Sequence, residues 1–199
     1  SISQIYLSGS EIILVPFHRL INNKPLRRTY LSWLNDIGNL KLIASDALMV
    51  PNKDDAFIDS SFERFTSDKA TGFFVYYKKS NSFIGTCKLE LSDNSPSSAT
   101  DGILIGDKKC QGRGLATPIY KTLLLFGFCY LSLDLIDGGC NSNNLAMLRI
   151  FKKFGYHHTR TISNADCIDG LYSNHEYFSL SRNKFLEQFD CEQLQISRT

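Results

Sequence analysis

A chain of 199 residues is long enough for one sizeable hydrophobic core and short for two independent ones, so we expect a single domain over residues 1–199. The formal net charge of +2 is close to balance, which argues against a nucleic-acid-binding or membrane-surface protein. The longest apolar stretch, 123–135, is interrupted by Gly127, Ser132 and Asp134 and is too short to span a bilayer. No basic-then-apolar signal peptide opens the sequence, and we expect a cytoplasmic protein.

The six cysteines lack the spacing of a metal site. None belongs to a Cys-x-x-Cys pair, and no histidine joins them at zinc-ligand spacing. Several lie in apolar runs, as Cys129 does between Phe128 and Tyr130, where a free thiol behaves as a small core residue. The pattern predicts reduced thiols and no metal.

The first half of the chain predicts helices and then antiparallel strands. Residues 11–17 are typical of a strand. Apolar residues at helical spacing predict amphipathic helices within 29–36 and 52–65. The aromatic and β-branched runs 72–78 and 82–91 predict a hairpin. A polar loop is expected at 92–98, and a further strand at 101–107.

The second half predicts alternating helices and strands. A helix is expected after Gly112, a short strand at 133–136, a turn at 137–139, a helix at 144–154 and a strand at 156–162. Asp169-Gly170 is typical of a hairpin turn before a last strand at 176–180. Together these elements predict an α/β (α+β) domain with a mixed, mostly antiparallel sheet of roughly six to seven strands flanked by helices.

The segment 111–117 carries the strongest chemical signal. A buried strand leads into a glycine-bearing loop, and the loop leads into a long apolar helix. The first amides of a helix lack intrahelical partners, and glycines allow an anion to approach the backbone closely. Lys108, Lys109 and Arg113 add positive charge beside this loop. The pattern predicts a phosphate-binding site.

Two common phosphate-binding loops fit the segment less well. A Walker loop ends in Gly-Lys-Ser/Thr, whereas this loop ends in Gly-Leu-Ala-Thr. A dinucleotide-binding loop requires a third glycine where Thr117 stands, although Asp137 lies near the expected position of its ribose-binding acid. An NAD-binding Rossmann enzyme therefore remains an alternative.

Three motifs resemble the GNAT superfamily of N-acetyltransferases. Gln111-x-x-Gly114-x-Ala116 is similar to its acyl-CoA signature, Gln/Arg-x-x-Gly-x-Gly/Ala. The helix that begins at Asn144 and runs into Gly155-Tyr156 resembles the family's Asn-led helix that ends in Lys-x-Gly-Phe. Trp33-Leu-Asn35-Asp36 resembles the Trp-x-Asn-Asp of the ribosomal-protein and amino-sugar branch. The resemblance covers residues 12–180, with all elements in the same order.

The resemblance implies a site for acetyl-CoA as co-substrate, where two strands splay apart. These strands would be 103–105 and 133–136, and the loop amides would bind the diphosphate. The implied cofactor-binding residues are Ile103, Leu104, Ile105, Gln111, Gly112, Arg113, Gly114, Leu115, Ala116, Thr117 and Asn144. For Asn144, a helix N-cap is an equally open interpretation.

The catalytic acid of many relatives has no counterpart here. They place a tyrosine four residues before the Gly-Phe pair, at the position of Phe151, which cannot donate a proton. The nearest carboxylates to the cofactor strand are Asp101 and Glu90, and either could accept a proton from the attacking amine. A non-catalytic acyl-CoA-binding regulatory module is thus a further alternative.

The acceptor is predicted less closely. Trp33, Asn35 and Asp36 are candidate substrate-binding residues because this segment usually forms the acceptor lid in the family. An N-terminal basic bias favours a small-molecule amine with phosphate groups, such as a nucleotide-linked amino sugar, over a protein N-terminus. The basic residues near the N-terminus are Arg19, Lys24, Arg27, Arg28 and Lys41. The sequence is compatible with a monomer or a homodimer.

Overall fold

The computed structural model describes residues 2–43, 50 and 52–198. The strands in these ranges are β1 (Ile5–Ser8), β2 (Ile12–Pro16), β3 (Thr66–Ser67), β4 (Ala70–Tyr77), β5 (Ser82–Ser92), β6 (Ser95–Ile105), β7 (Leu135–Asn141), β8 (His157–Ile168), β9 (Leu171–Ser181) and β10 (Gln195–Arg198). The α-helices are α1 (Lys24–Asn35), α2 (Ile37–Leu40), α3 (Asp55–Arg64), α4 (Ala116–Leu125), α5 (Leu145–Phe154) and α6 (Arg182–Leu186). A π-helical turn, Phe126–Tyr130, extends α4.

The described strands form one sheet in the order β10-β1-β2-β4-β5-β6-β7-β9-β8, with β3 paired to β4. Neighbouring strands are antiparallel except β6 and β7, which are parallel and are joined through the crossover helix α4. This mixed, mostly antiparallel sheet confirms the predicted fold class. The sheet has ten strands, more than predicted, because β1, β3 and β10 are only two to four residues long and leave little pattern to detect.

Each face of the sheet carries its own hydrophobic core. On one face, α4 and α5 pack on the central strands and bury Leu123 and Phe151 completely. On the other face, α1 and α3 cover a cluster of aromatic rings, hereafter the aromatic cluster, formed by Phe17, Tyr30, Phe62 and Phe74. We call α1, α2 and α3 the helical lid. No helix in the described ranges is long and apolar enough to cross a membrane.

Two segments differ from their predicted structure. Most of the expected loop 92–98 belongs to β5 and β6, because Ser92 pairs with Ser95 and leaves only a tight turn. The expected turn 137–139 lies inside β7. Its two glycines allow neighbouring side chains to pack directly against the backbone. A β-carbon at Gly138 would lie 2.6 Å from Phe151 Cε1, and one at Gly139 would lie 2.7 Å from His175 Nε2. Glycine here serves close packing in a strand.

A disulfide corrects the prediction of reduced thiols. Cys129 and Cys191 are bonded, with 5.4 Å between their Cα atoms and a sequence separation of 62 residues. Such a separation leaves no sign of proximity in the sequence. The remaining cysteines are free, with Cys87, Cys110 and Cys140 buried and Cys167 exposed. Burial raises the pKa of the Cys140 thiol to about 12, as expected for an inert core cysteine.

The topology excludes the Rossmann alternative. A doubly wound dinucleotide-binding fold requires an open sheet of mostly parallel strands. Among the described strands, only β6 and β7 pair in parallel. Asp137, the expected ribose ligand, instead accepts a hydrogen bond from Ser179 on the neighbouring strand.

Candidate active site

The sheet opens between β6 and β7. Backbone pairing between these strands stops at Thr100 and Asp137. Beyond that point β6 continues on β5 and β7 continues on β9. Residues 101–105 and 138–141 therefore form two facing edges whose alternate N–H and C=O groups have no strand partner across the gap in the described structure. The opening lies further along β7 than the predicted edge 133–136.

The loop at the wide end of this opening presents free backbone donors. Gly112 and Gly114 have φ values of +71° and +75°, a conformation that favours glycine. A β-carbon at either position would point into open space. Among the described residues, no oxygen accepts from the N–H groups of 112–116. These amides lie at the N-terminus of α4, so the loop is suited to binding an anion.

The cations predicted beside the loop have different environments. Lys108 Nζ lies 2.8 Å from Asp36 Oδ2 and is already paired. Lys109 and Arg113 are exposed and have no carboxylate partner among the described residues. Lys153 approaches from α5, with its Nζ 3.5 Å from Thr117 Oγ1. Three cations therefore remain available around the loop.

Gln111 fixes the loop from inside the protein. Its Nε2 donates to the Ile105 carbonyl at 2.7 Å and to Asn39 Oδ1 at 2.8 Å. Asn39 is buried, and its Nδ2 donates to the carbonyls of Trp33 and Gly106 at 3.1 and 3.2 Å. The signature glutamine thus joins the end of β6 to the helical lid, while its side chain faces away from the loop amides.

A cavity of about 460 Å³ passes through the opening in the sheet. Its lining on the lid side includes Phe57 and Arg64 of α3, together with Lys88 of β5. Its lining on the opposite side includes Tyr120 of α4 and Met147 of α5. Because both faces of the sheet contribute, two substrates can meet in the gap from opposite sides.

Asp101 lies at the point where β6 and β7 separate. Tyr120 Oη donates to its Oδ1 at 2.9 Å, and Tyr156 Oη donates to its Oδ2 at 2.6 Å. Burial raises the pKa of Asp101 to about 7, with the charge of Asp137 adding to the rise and the two tyrosine hydrogen bonds opposing it. Burial and the neighbouring carboxylate also raise the pKa of both tyrosines well above 10. A carboxyl group of this kind exchanges protons near neutral pH.

Glu90, the second candidate base, is held in an ion pair. Arg64 contacts both oxygens of Glu90, with distances of 2.8 Å to Oε1 and 2.7 Å to Oε2 from its Nη2. Lys88 lies two residues earlier on the same face of β5, with its Nζ 4.2 Å from the centre of the Phe65 ring. No carboxylate of the described residues lies within ion-pair distance of Lys88. The described residues on the lid side of the cavity therefore include two cations, Arg64 and Lys88, and one anion, Glu90.

The predicted acceptor residues make contacts within the protein. Trp33 is buried against Gly106, where a β-carbon would lie 2.2 Å from its Cγ. Asn35 exchanges two hydrogen bonds of 2.9 Å with the backbone of Lys53. Asp36 caps α2 and pairs with Lys108, which lowers its pKa. None of the three is among the residues that line the cavity.

Other predicted residues are distributed between the two edges and the core. Ile103 and Leu104 line the cavity, and Ile105 is the last β6 residue on β5. Asn144 Oδ1 accepts from the Met147 N–H at 3.2 Å, so this residue is the N-cap of α5. Of the basic residues near the N-terminus, Arg27 pairs with acids of α3 and Lys41 pairs with Asp169. None of that basic group lines the cavity.

Four residues of the site were missed by the sequence analysis: Arg64, Lys88, Tyr120 and Tyr156. Lys88 alternates with apolar residues along β5. This pattern predicts the face of the sheet on which its side chain lies, but it does not predict a cavity there. Tyr120 lies one turn into α4, the helix that follows the glycine loop. Its nearness to that loop in the sequence could have identified it as a candidate site residue. Tyr156 occupies the aromatic position after Gly155, which predicts packing rather than a hydrogen bond to Asp101.

Comparison with known proteins agrees with this geometry. A family model described as an acetyltransferase (GNAT) domain matches residues 25–157. A probable N-acetyltransferase of Bacillus subtilis (strain 168), YjcK, is 24% identical over 119 residues, which are 59% of this chain and 65% of that protein. This match spans slightly less than two thirds of the relative.

Solved structures share the fold at low sequence identity. A spermidine N-acetyltransferase of Vibrio cholerae, in complex with CoA and spermine, superposes with a TM-score of 0.71 at 17% identity, covering 92% of this chain and 99% of that one. A GNAT-family acetyltransferase of Bacillus anthracis gives a TM-score of 0.71 at 14% identity, covering 89% and 99%. Since the family model also matches well over half of the sequence, the chain belongs to the GNAT acetyltransferase family.

Proposed function

We propose that this protein transfers the acetyl group of acetyl-CoA to the primary amine of a small molecule by direct attack. The observation that carries the proposal is the opening between β6 and β7, with unpaired loop amides at one end and Asp101 at the other. A nucleophile that enters from the lid side meets the gap between the strands beside Asp101. A protein N-terminus is the alternative acceptor.

The residues available for acetyl-CoA divide by chemistry. The diphosphate is assigned to the N–H groups of 112–116, with charge from Lys109, Arg113 and Lys153. The pantetheine arm is assigned to the free edge 101–105, as an added strand pairs with an exposed edge. When bound, acetyl-CoA supplies an activated acyl group. Oriented backbone donors along that edge are suited to polarising its carbonyl.

Asp101 is the preferred base of the two candidates. Its pKa of about 7 allows it to accept a proton from the amine near neutral pH, whereas Glu90 is engaged by Arg64. We therefore assign proton removal to Asp101 and acceptor binding to the Arg64–Glu90 pair. Lys88 supplies an additional positive charge on the lid side.

The charges on the lid side favour an acceptor that carries an anionic group. Spermine is a polycation, and a site for such a ligand requires carboxylates free to pair with it. Among the described lining residues, Glu90 is neutralised by Arg64 and Asp101 by its partly protonated state. Lys88 is positioned to pair with a phosphate or carboxylate. A nucleotide-linked amino sugar is one class that meets this requirement.

The first test is ligand-induced stabilisation. Acetyl-CoA at about one hundred times its dissociation constant is expected to add roughly 2.7 kcal/mol to the free energy of unfolding, a rise of about 5–10 °C in melting temperature. Gly114→Ala should reduce that rise because a β-carbon would occupy the space expected for the diphosphate. Gly170→Ala is the matched control: Gly170 has a φ of +76° and equally open surroundings. An equal effect of both variants would contradict the loop assignment.

The second test addresses the acceptor. Lys88→Glu is expected to lower kcat/KM for anionic amines at least about tenfold, because a like charge opposes the acceptor where an opposite charge attracted it. Lys79→Glu, at the turn between β4 and β5, makes the same change in net charge outside the cavity and should have little effect. Rates would be compared across UDP- and dTDP-amino sugars, spermidine and basic peptides.

The outcomes of this panel separate the alternatives. Turnover of spermidine or basic peptides, with none of the nucleotide-linked amino sugars, would reject the anionic-acceptor proposal. Acetyl-CoA binding without turnover of any amine would favour a regulatory acyl-CoA-binding module.

A further inference from the structure

We propose that Tyr120 is the proton donor to the departing CoA thiolate, acting in series with Asp101. This inference rests on the proposed acetyl transfer. It fills a requirement that Phe151 cannot meet, since a phenyl ring carries no transferable proton. Tyr120 lies on the first turns of α4, below the opening between β6 and β7, and its side chain lines the cavity.

The hydroxyl of Tyr120 is held at the reacting end of the cavity. Its Oη donates to Asp101 Oδ1 at 2.9 Å, and Asp101 also lines the cavity. The ring of Tyr120 is enclosed between Phe151 and Phe154, with centroid distances of 6.3 and 6.2 Å. These contacts fix the ring, and the hydroxyl is held by Asp101 in a side chain that lines the cavity. Phenolic hydroxyls in such positions act as general acids.

Phe151 lies beside the same carboxyl group. A β-carbon at Gly138 would lie 2.9 Å from Phe151 Cζ and 3.0 Å from Asp101 Oδ1, so both atoms border one point. Phe151 Cζ therefore lies within about 6 Å of Asp101 Oδ1, and a hydroxyl added there would lie in the neighbourhood of that carboxyl group. Asp101 is thus bordered by Phe151, which has no hydroxyl, and by the phenols of Tyr120 and Tyr156, of which Tyr120 lines the cavity.

The proposed step balances in atoms and charge. The neutral amine forms a C–N bond with the thioester carbon, and the C–S bond breaks with its electron pair leaving on sulfur. The amine gives up one proton to Asp101, Tyr120 gives one to the thiolate, and Tyr120 regains a proton from Asp101. The products are the acetamide and the free thiol, and both side chains return to their starting states.

Tyr156 has a different part in this arrangement. It is buried, it does not line the cavity, and its hydroxyl donates to the other oxygen of Asp101 at 2.6 Å. Tyr156 is therefore a positioning residue that fixes the orientation of the carboxyl group. Because each tyrosine hydrogen bond lowers the pKa of Asp101, removal of either tyrosine should shift the pH dependence set by Asp101. Removal of Tyr120 should in addition lower the rate at every pH.

The test compares Tyr120→Phe with the double variant Tyr120→Phe/Phe151→Tyr. The single variant is expected to lower kcat by about 10²–10⁴-fold with little change in KM for acetyl-CoA, the range typical of a lost general acid. The double variant is expected to regain at least a tenfold rate, because the new hydroxyl is introduced beside the same carboxyl group. Tyr130→Phe, a half-buried tyrosine outside the cavity, is the control and should keep the parent rate.

Two results would overturn the inference. One is a kcat of Tyr120→Phe within about threefold of the parent rate. The other is a loss that Phe151→Tyr does not repair, which would assign the defect to the shape of the site. Failure of the proposed function is recognised separately, since the parent protein would then bind no acetyl-CoA or acetylate no amine.

Discussion

Asp101→Asn is expected to lower kcat/KM by about 10²–10⁴-fold while acetyl-CoA still binds. The amide cannot accept the proton that the attacking amine releases. Its size allows it to remain between Tyr120 and Tyr156, so the surrounding packing should persist. Initial rates from thiol release and melting temperatures with acetyl-CoA would measure the two effects independently.

The pH profile gives the sharper version of this test. With a nucleophile whose own pKa lies below 6, the parent rate should rise with pH and level off near the Asp101 pKa of about 7. The variant should lack that limb. Asp93→Asn, in the turn between β5 and β6, is the matched control and should keep both the rate and the profile. An unchanged profile in Asp101→Asn would assign proton transfer to another group.

Stability should move in the opposite direction to activity. The pKa of Asp101 is raised from 3.8 to about 7 on folding, so the folded protein holds this proton more tightly than the unfolded chain. The corresponding stabilisation is complete below about pH 4 and is lost as the pH rises to about 7. Relative to the parent, Asp101→Asn should therefore become more stable across that range.

The second large effect is expected from Phe62→Ala, which should lower the free energy of unfolding by about 3–5 kcal/mol. Phe62 is only 3% exposed, and its ring lies 5.1 Å from Phe17 and 6.0 Å from Phe74 between centroids. Its removal leaves a cavity where α3 meets the sheet. A fall in melting temperature on the order of 10 °C is expected.

The same variant tests the function of the helical lid. Helix α3 carries Phe57 and Arg64 into the cavity, so its displacement should raise KM for the acceptor more than KM for acetyl-CoA. Phe83→Ala is the control, because Phe83 is half-buried and contacts Phe74 from the edge of the aromatic cluster. Equal losses in the two variants would show that α3 is not anchored through Phe62.

The sequence predicted the structure best where the spacing of apolar residues matches the repeat of a strand or a helix. The hairpin of β4 and β5 and the helix α5 follow the predicted ranges closely, because alternation and helical spacing are read over ten or so residues. Composition was misleading at 92–98 and at 137–139. In both segments polar residues and glycines belong to strands: Ser92 pairs with Ser95 around a tight turn, and residues 137–139 pair with residues 177–179 of β9.

The candidate site divides in the same way. The loop 111–116 is contiguous, so its glycines and its position before α4 could be recognised directly. Asp101 was a candidate from its place on the strand, but its partners Tyr120 and Tyr156 are 19 and 55 residues away. The pKa of Asp101 depends on burial and on hydroxyl groups far away in the sequence, so the residues next to Asp101 do not predict it.

Asn39 connects the helical lid to the end of β6 and to the loop at the start of α4. Its side chain binds the lid backbone at Trp33, the strand end at Gly106 and the loop side chain Gln111. Suppose that a ligand bound at the loop restrains α1 and α2 and thereby favours binding of the acceptor. Binding of the acceptor must then favour binding of the loop ligand by the same free energy, because coupling between two sites is reciprocal. We therefore expect the buried amide of Asn39 to couple the affinity for the acceptor to the affinity for the ligand at the loop.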